Sequence, residues 1–223
     1  MASGAPAGGT VTDDVRRRLE GEIRGGQLPP GAVLAVKDVA ERFGISRTPA
    51  KEALLQLSAA GLVDLQPRRG AIVTKLQPKV VFGMLEVLAV LEAEAARLCA
   101  RRMSDGQRKE LVRIQQEAGR AVAAGDTAGY AEANQRLHKL VYDGAGNEFL
   151  QRQVLEIRAR LAAYRPITFE RPGRMKASHA EHGVMVDAIV RGDEPEAHRA
   201  MTAHITVGGT AQAELMLQMS GRD

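Results

Sequence analysis

Residues 36–57 read VKDVAERFGISRTPAKEALLQL, and the spacing of their apolar side chains predicts two short helices. The first runs from Val36 to Phe43, and Gly44 is placed to end it in the left-handed conformation. Ser46 is the predicted N-cap of the second helix, whose hydroxyl would accept a first-turn N–H. The buried stripe of that helix is predicted to be Ala50, Ala53, Leu54 and Leu57. Two helices joined by about three residues that include a glycine are typical of a helix-turn-helix.

The flanking segments complete a winged helix. A helix is predicted before the pair, because Val15, Leu19 and Ile23 recur every four positions. Two strand-like runs follow at 62–66 and 71–75, joined by a turn at 67–70. Residues 11–76 are therefore predicted to form three helices and a β-hairpin wing. Residues 1–10, rich in Ala, Gly, Ser and Pro, are predicted to be a disordered tail.

The exposed face of the third helix is predicted to present polar and basic side chains to solvent. Arg47, Thr48 and Lys51 lie in its first turn and a half, where a recognition helix enters a major groove. Arg can donate two parallel hydrogen bonds to a guanine edge, and Lys can bind guanine or a phosphate. Contacts to the backbone or the minor groove are predicted for Lys37, Arg68 and Arg69. Each cation alone is equally consistent with a solvated surface charge, but their joint placement predicts DNA binding.

This pattern resembles the DNA-binding domain of the GntR family of bacterial transcription regulators. The resemblance rests on LPPG at 28–31, VAERFGISRTP at 39–49, EAL at 52–54, Leu57, GLV at 61–63 and RG at 69–70. It implies DNA contacts by the matching positions Lys37, Arg47, Thr48 and Lys51 and by the wing residues Arg68, Arg69 and Gly70. Two departures stand out. Lys51 replaces the usual Arg and loses its bidentate geometry, and Ala35 replaces a capping residue at a cost of about 1 kcal/mol.

Composition excludes several other classes of protein. The 223 residues are 44% hydrophobic but only 3% aromatic, which favours helices over a β-sandwich. The single cysteine, Cys99, excludes a disulfide scaffold and a cysteine-based zinc finger. No apolar run reaches the roughly 18 residues of a membrane span, and the first ten residues do not resemble a signal peptide, so a cytoplasmic protein is expected. The net charge is +4, and residues 1–75 hold 11 basic against 8 acidic residues, an excess that suits the DNA-binding part.

The chain beyond Gln77 and Pro78 is predicted to be an all-α antiparallel bundle. Short segments rich in Gly, Asp and Pro interrupt it. The predicted helices cover residues 79–102, 105–124, 127–143, 147–164, 173–191 and 194–218. No βαβ alternation, Walker-type loop or G-x-G-x-x-G motif is present, which excludes a Rossmann-type nucleotide site.

All five histidines lie in this second part. Asn134 and His138 are four residues apart and so share a helix face, while His182 and His204 lie on the last two predicted helices. Three imidazoles from three helices could form a Zn²⁺ or Ni²⁺ site. On spacing alone, separate buried histidines bonded to carbonyls are the simpler interpretation. His179 and His198 are predicted to point outward.

Residues 82–204 resemble the FCD domain, the effector-binding bundle of the FadR-type branch of the GntR family. The resemblance rests on LE at 91–92, AARL at 95–98, NQRLH at 134–138, GNEFL at 146–150, EH at 181–182, AI at 188–189, GD at 192–193 and MTAHI at 201–205. Many members bind a metal through an Asp/Asn-x-x-x-His pair and two further histidines, with a small organic acid beside it. The resemblance therefore implies that residues 79–218 form an effector-binding and dimerisation domain with the metal ligands Asn134, His138, His182 and His204.

Three departures from the FCD pattern bear on the effector. Asn134 is neutral where Asp is common, and Leu137 replaces a frequent Phe. Leu88 stands where many members carry an Arg that helps to hold the carboxylate of the effector, so an anionic effector would need another anchor.

The combined expectation is a ligand-responsive repressor rather than an enzyme. No H-E-x-x-H motif occurs, no histidine follows a glutamate by three residues, and four neutral ligands suit holding a molecule better than hydrolysing it. The expected partners are a palindromic double-stranded operator, a small carboxylate and a second copy of the chain. The alternative is a dimeric DNA-binding protein whose metal is only structural or absent and whose effector is not an acid.

Overall fold

The computed structural model describes residues 10–67, 70–161, 169 and 172–206, which form two compact units. Unit 1 contains the described residues up to Gln77 and the short stretch Ala159–Leu161, and unit 2 contains the others. The predicted fold class, a winged helix followed by a helical bundle, is confirmed. None of the helices in the described part of the chain combines the length and the apolar composition that a bilayer crossing requires.

Unit 1 consists of three helices and a small antiparallel sheet. Its elements are α1 (Val11–Arg24), β1 (Val33–Leu34), α2 (Val36–Phe43), α3 (Arg47–Ala59), β2 (Val63–Gln66) and β3 (Gly70–Val73). The sheet order is β1-β3-β2, with both pairs antiparallel. The predicted hairpin is thus present, and the two-residue strand β1, which the sequence pattern did not reveal, pairs with its second arm.

The ends of the helices agree with the predictions except at two caps. Thr10, predicted to lie in the tail, is the N-cap of α1 and forms a capping box with Asp13; residues 1–9 of the predicted tail lie outside the described residues. Ser46 occupies the N-cap position of α3, but its side chain makes no capping hydrogen bond, so that predicted contact is wrong. Gly44 ends α2 at φ 63°, in the left-handed conformation that was predicted.

The core of unit 1 brings the predicted apolar stripes of the three helices together. Every residue of the stripes of α1 and α3 is buried, and so is the inner face of the hairpin. The core consists of Val15, Leu19, Ile23, Leu34, Val39, Ala40, Ala50, Ala53, Leu54, Leu57, Leu62, Val63, Ala71 and Val73. This packing leaves the opposite face of α3 exposed.

Unit 2 is helical throughout its described elements. They are α4 (Pro78–Arg102), α5 (Asp105–Ala124), α6 (Thr127–Gly144), α7 (Glu148–Leu161), α8 (Arg174–Arg191) and α9 (Glu194–Thr206). These bounds lie within one residue of the predicted ones, apart from the predicted ends at 162–164 and 207–218, which lie outside the described residues.

Two helices of unit 2, α6 and α8, face each other across its core. α4 packs against α6, α8 and α9, and α5 packs against α6 and α8. α6 and α8 lack the close packing with each other that each has with α4 and α5. They therefore lie across the centre of the bundle from each other, and side chains that point inward from both helices meet there.

Candidate metal centre and DNA-contact surface

Three imidazoles meet inside unit 2. His138 of α6, His182 of α8 and His204 of α9 each offer one ring nitrogen, and these nitrogens lie within 4.8 Å of one another. Nε2 of His182 is 3.1 Å from Nε2 of His204. The ring of His138 has its centroid 5.2 Å from that of His182 and 5.4 Å from that of His204. Three residues that are far apart in sequence thus form one cluster.

Burial keeps two of these histidines neutral. The loss of water around His138, together with the nearby charge of Arg158, lowers its pKa to about 4. The same loss of water, with the neighbouring His204 and His138, lowers the pKa of His182 well below its usual value. The neutral imidazole is the form that binds a metal ion. At neutral pH His138 and His182 are therefore ready to act as nitrogen ligands.

Carboxylates lie behind two of the three rings. Oε2 of Glu181 is 2.7 Å from Nδ1 of His204 and also accepts from Arg174. A carboxylate at this distance accepts from the ring, so Nδ1 of His204 carries a hydrogen and Nε2 is the nitrogen that faces His182. Such carboxylates orient metal-binding histidines in many proteins. Nδ1 of His182 is buried and has no hydrogen-bond partner among the residues that the structure describes.

The carboxylate of Glu92, on α4, lies behind the ring of His138. It is completely buried, and its Oε2 lies 3.4 Å from Nδ1 of His138. Arg158 donates to both of its oxygens, at 2.8 and 2.7 Å, and the hydroxyl of Tyr142 donates at 2.8 Å. Burial alone would raise the pKa of Glu92, but the charge of Arg158, the neighbouring His138 and the hydrogen bonds from Arg158 together outweigh it and hold that pKa well below the usual range.

The donor set fits a divalent metal ion. Ligands of one tetrahedral Zn²⁺ at 2.0–2.1 Å are about 3.3 Å apart, which the nitrogens of His182 and His204 already satisfy. A small rotation of His138 would close the remaining gap, because the three nitrogens already lie within 4.8 Å. Three imidazoles, two of which have a carboxylate behind the ring, suit Zn²⁺ and Ni²⁺ alike.

The other residues named from the sequence fall around this cluster. Asn134 is buried on α6, one turn before His138. Leu88, which stands where an anion-binding Arg was expected, is buried in the core. An arginine does approach the centre, but from α7: Nη2 of Arg158 is 3.2 Å from Nδ1 of His138. Sequence spacing could not reveal this contact, because nothing in it links residue 158 to residues 92 and 138.

The two remaining histidines differ from each other. His198 is exposed on α9, as predicted. His179 was predicted to point into solvent, but it is half-buried, its ring packs close to Gly119 of α5, and its Nδ1 is enclosed without a partner. The helical position of His179, three residues before His182, turns it toward α5 rather than outward.

In unit 1 the predicted DNA-contact residues lie on the surface. Arg47, Thr48 and Lys51 are exposed at the start of α3, and neither Arg47 nor Lys51 forms an ion pair within the described residues. Lys37 is exposed on α2, where its Nζ is 3.6 Å from Glu41. Gly70 begins β3 at φ 92°. The predicted wing contacts Arg68 and Arg69 lie outside the described residues.

Two protein families match the chain. The family described as bacterial regulatory proteins, gntR family, matches residues 11–73, and the FCD domain matches residues 83–207. The probable D-xylose utilization operon transcriptional repressor of Paenarthrobacter nicotinovorans is 31% identical over 204 residues, which cover 88% of this chain and 86% of that protein. The HTH-type transcriptional repressor RspR of Escherichia coli strain K12 is 24% identical over 195 residues, covering 87% and 86%.

Solved structures show the same fold. E. coli McbR/YncC aligns with a TM-score of 0.79 at 19% identity, over 93% of this chain and 99% of that one. At 19% identity, this similarity shows a shared fold.

Proposed function

The chain belongs to the gntR family of bacterial regulatory proteins and carries an FCD domain, and from this premise we propose that it represses transcription in response to a small carboxylate bound at a metal centre in unit 2. It is a transcriptional regulator and not an enzyme. The observation that supports the ligand-responsive part is the convergence of His138, His182 and His204 within 4.8 Å inside a bundle.

The recognition helix in this proposal is α3. Its apolar stripe is buried in the core of unit 1, so Arg47, Thr48 and Lys51 face solvent together at its N-terminal end. Unpaired cations at this end can reach base edges in the major groove without first breaking an internal ion pair. Lys37, Arg68, Arg69 and Gly70 are proposed to make the accompanying backbone and wing contacts.

The ligand site in this proposal is the histidine cluster with Asn134 as a fourth ligand. A divalent ion, Zn²⁺ or Ni²⁺, would offer open coordination positions to a carboxylate oxygen. The side chains of the chain hold the arrangement: Glu181 fixes the ring of His204, and Glu92 lies behind that of His138. A ligand bound there can shift the operator-binding equilibrium only by its difference in affinity between the two states of the protein.

A homodimer is the proposed assembly, because a two-fold protein matches a palindromic operator. α4 exposes Val80, Val87 and Val90, the last at 66%, and α7 exposes Phe149 and Leu155. Apolar side chains grouped on two helices suit a contact with a second copy. Val87→Glu should therefore shift the mass measured by light scattering from dimer toward monomer, and an unchanged dimer would contradict this surface.

The DNA-binding proposal is tested by gel shift with genomic fragments. Arg47→Ala should weaken binding to the selected operator by about 1–3 kcal/mol and relax the base preference at one position. Arg199→Ala removes an exposed arginine of unit 2 and serves as the matched control. Unchanged operator preference in Arg47→Ala would contradict the recognition-helix assignment.

The ligand proposal is tested by adding a panel of small carboxylates to the same gel shift, with and without a chelator. His182→Ala should remove bound metal, measured by elemental analysis, and abolish the response to the acid while operator binding persists. His198→Ala, which changes an exposed histidine, should leave both intact. A chelated protein that still responds, or a response only to uncharged molecules, would favour the alternative in which the metal is structural or absent.

A further inference from the structure

The N-terminal half of α3 packs into the core of unit 1 through small side chains. Ala50 and Ala53, the first two buried residues of α3, are both 0% exposed, and the larger Leu54 and Leu57 follow toward its C-terminal half. Apolar contact is non-directional, and a methyl group offers little shape to lock against. This packing therefore holds the N-terminal half of α3 against the core but fixes its rotation about the helix axis only weakly.

A single polar contact supplies the missing direction. Ser46, at the N-cap of α3, makes no side-chain capping bond. Oγ1 of Thr12, on α1, donates to Oε2 of Glu52, on α3, at 3.1 Å. Among the residues that the structure describes, this is the only hydrogen bond between a side chain of α3 and another element. A hydrogen bond weakens steeply when its angle departs from linear, so it resists rotation of α3 in a way that apolar packing does not.

The donor of this bond is itself held in place. Thr12 is 7% exposed and lies in the first turn of α1, which Thr10 and Asp13 close with a capping box. If Glu52 moved away, the Thr12 hydroxyl would be shielded from water without a partner, which is unfavourable. Glu52 is exposed and forms no ion pair with the described residues. Its carboxylate therefore stays hydrated on one side while the other side satisfies a buried donor.

The bond lies next to the side chains that are proposed to contact bases. Glu52 directly follows Lys51, and it lies four residues after Thr48 on the same face of α3. A side-chain tip lies about 5–6 Å from the axis of a helix, so a rotation of about 10° moves it by about 1 Å. Such a shift takes a paired contact with a base edge out of hydrogen-bond range.

We propose that Thr12 and Glu52 are positioning residues for operator recognition. Their hydrogen bond fixes the rotation of α3 and thereby places Arg47, Thr48 and Lys51 on the bases. This inference rests on the proposed role of α3 as the recognition helix. The bond needs a hydroxyl at residue 12 and an acceptor oxygen at residue 52, but it needs no negative charge. That requirement separates positioning from any effect of the charge of Glu52.

The test measures discrimination between DNA sequences rather than affinity alone. The probes are the duplex that the wild type selects from a random-sequence library and poly(dI-dC). Fluorescence anisotropy at one fixed salt concentration gives the ratio of the two dissociation constants, because salt changes both. Circular dichroism sets a temperature at which every variant of the full chain is folded. A loss of folded protein would affect both DNAs equally and cancel in the ratio.

Two variants break the bond and two preserve it. Thr12→Val and Glu52→Ala should each lower the ratio by about tenfold, the equivalent of one misplaced base contact. The double variant should lose no more than either single one, because both remove the same bond. Thr12→Ser and Glu52→Gln keep a hydroxyl and an acceptor oxygen, so their ratios should stay within about twofold of the wild type. Glu20→Ala, which removes a carboxylate paired within α1, is the matched control and should behave likewise.

Three results would overturn the proposal. The first is an unchanged ratio in Thr12→Val or in Glu52→Ala. The second is a double variant whose loss equals the product of the two single losses, since the two residues would then act independently. The third is a loss in Glu52→Gln as large as that in Glu52→Ala, because the carboxylate would then act through its charge or by contacting a base.

Arg47→Ala in the same assay separates this inference from the function on which it rests. If Arg47→Ala lowers the ratio and Thr12→Val does not, α3 reads the operator without help from this bond, and only the positioning role is contradicted. If Thr12→Val lowers the ratio and Arg47→Ala does not, the positioning role stands and the base contact assigned to Arg47 is contradicted.

Discussion

Replacing Arg158 with methionine tests the buried ion pair behind the histidine cluster. Glu92 is 0% exposed and accepts two hydrogen bonds from Arg158 and one from Tyr142. Arg158→Met removes both charge-assisted bonds and leaves a carboxylate in the interior with one donor. Removing one partner of a buried pair typically costs about 3–5 kcal/mol, so we expect the free energy of unfolding of unit 2 to fall by about that amount.

The pH dependence of this loss has a defined sign. In the wild type, Arg158 holds the pKa of Glu92 well below 4.5, so the pair contributes fully above that pH and is lost only as the pH falls through the lowered value. In Arg158→Met, burial acts unopposed and raises the pKa of Glu92, so acid allows the carboxyl to bind a proton and become neutral. The difference between wild type and variant should therefore be largest near pH 8 and shrink toward about pH 5.

The assay is urea unfolding of chelator-treated protein, followed by helical circular dichroism at fixed protein concentration. Arg97→Met is the matched control, since Arg97 pairs with Glu94 and Glu194 at the surface, where such pairs contribute at most about 1 kcal/mol. A double variant, Arg158→Met with Glu92→Gln, should recover part of the loss because no buried charge remains. A loss below about 1 kcal/mol near pH 8, or one that grows on acidification, would refute the reasoning.

Three further predictions concern other parts of the molecule. Ala35→Ser supplies the missing N-cap hydroxyl of α2 and should raise the unfolding free energy of unit 1 by about 0.5–1 kcal/mol in urea; no gain would contradict it. Gly70→Ala places a Cβ against the carbonyl of Leu34 at a positive φ, so it should lower the unfolding free energy of unit 1 by more than 1 kcal/mol and speed amide exchange in β1. Gly83→Ala, which has open space around it, should instead stabilise α4 by up to about 1 kcal/mol. Because the pKa of His138 is lowered to about 4, its imidazole stays neutral in mild acid, so elemental analysis should still find bound Zn²⁺ near pH 5.5; complete loss by pH 6.5 would contradict this.

The fold was largely predictable because its signals are local. Gly44, at φ 63°, ends α2 within a single turn. The buried stripe of α1 follows from the four-residue spacing of Val15, Leu19 and Ile23. β1 escaped prediction because two residues carry no periodicity and pair with β3 only through the tertiary fold. At Ser46 the prediction went too far. Serine favours the N-cap position, which Ser46 occupies, but its side chain makes no capping hydrogen bond.

The grouping of the three histidines was predictable, but the side chains around them were not. The grouping of His138, His182 and His204 was inferred mainly from a family resemblance, since spacing alone favoured separate histidines. Glu92 and Arg158 are 66 residues apart and meet only because α4 and α7 come together. Tyr142, which donates to the buried Glu92, could not be singled out from the sequence because a tyrosine in a helix is ordinarily a core residue.

The opposed positions of α6 and α8 across the bundle have an evolutionary consequence. The main packing contacts of unit 2 join other pairs of helices, such as α4 with α9 and α5 with α6, while α6 and α8 contact each other little. Under the proposed function, a substitution at Asn134, a buried position of α6, would change the groups beside the histidine cluster while those helix pairs stay in place. A scaffold of this kind can change its ligand specificity through mutations of a few central side chains. Its architecture stays fixed meanwhile.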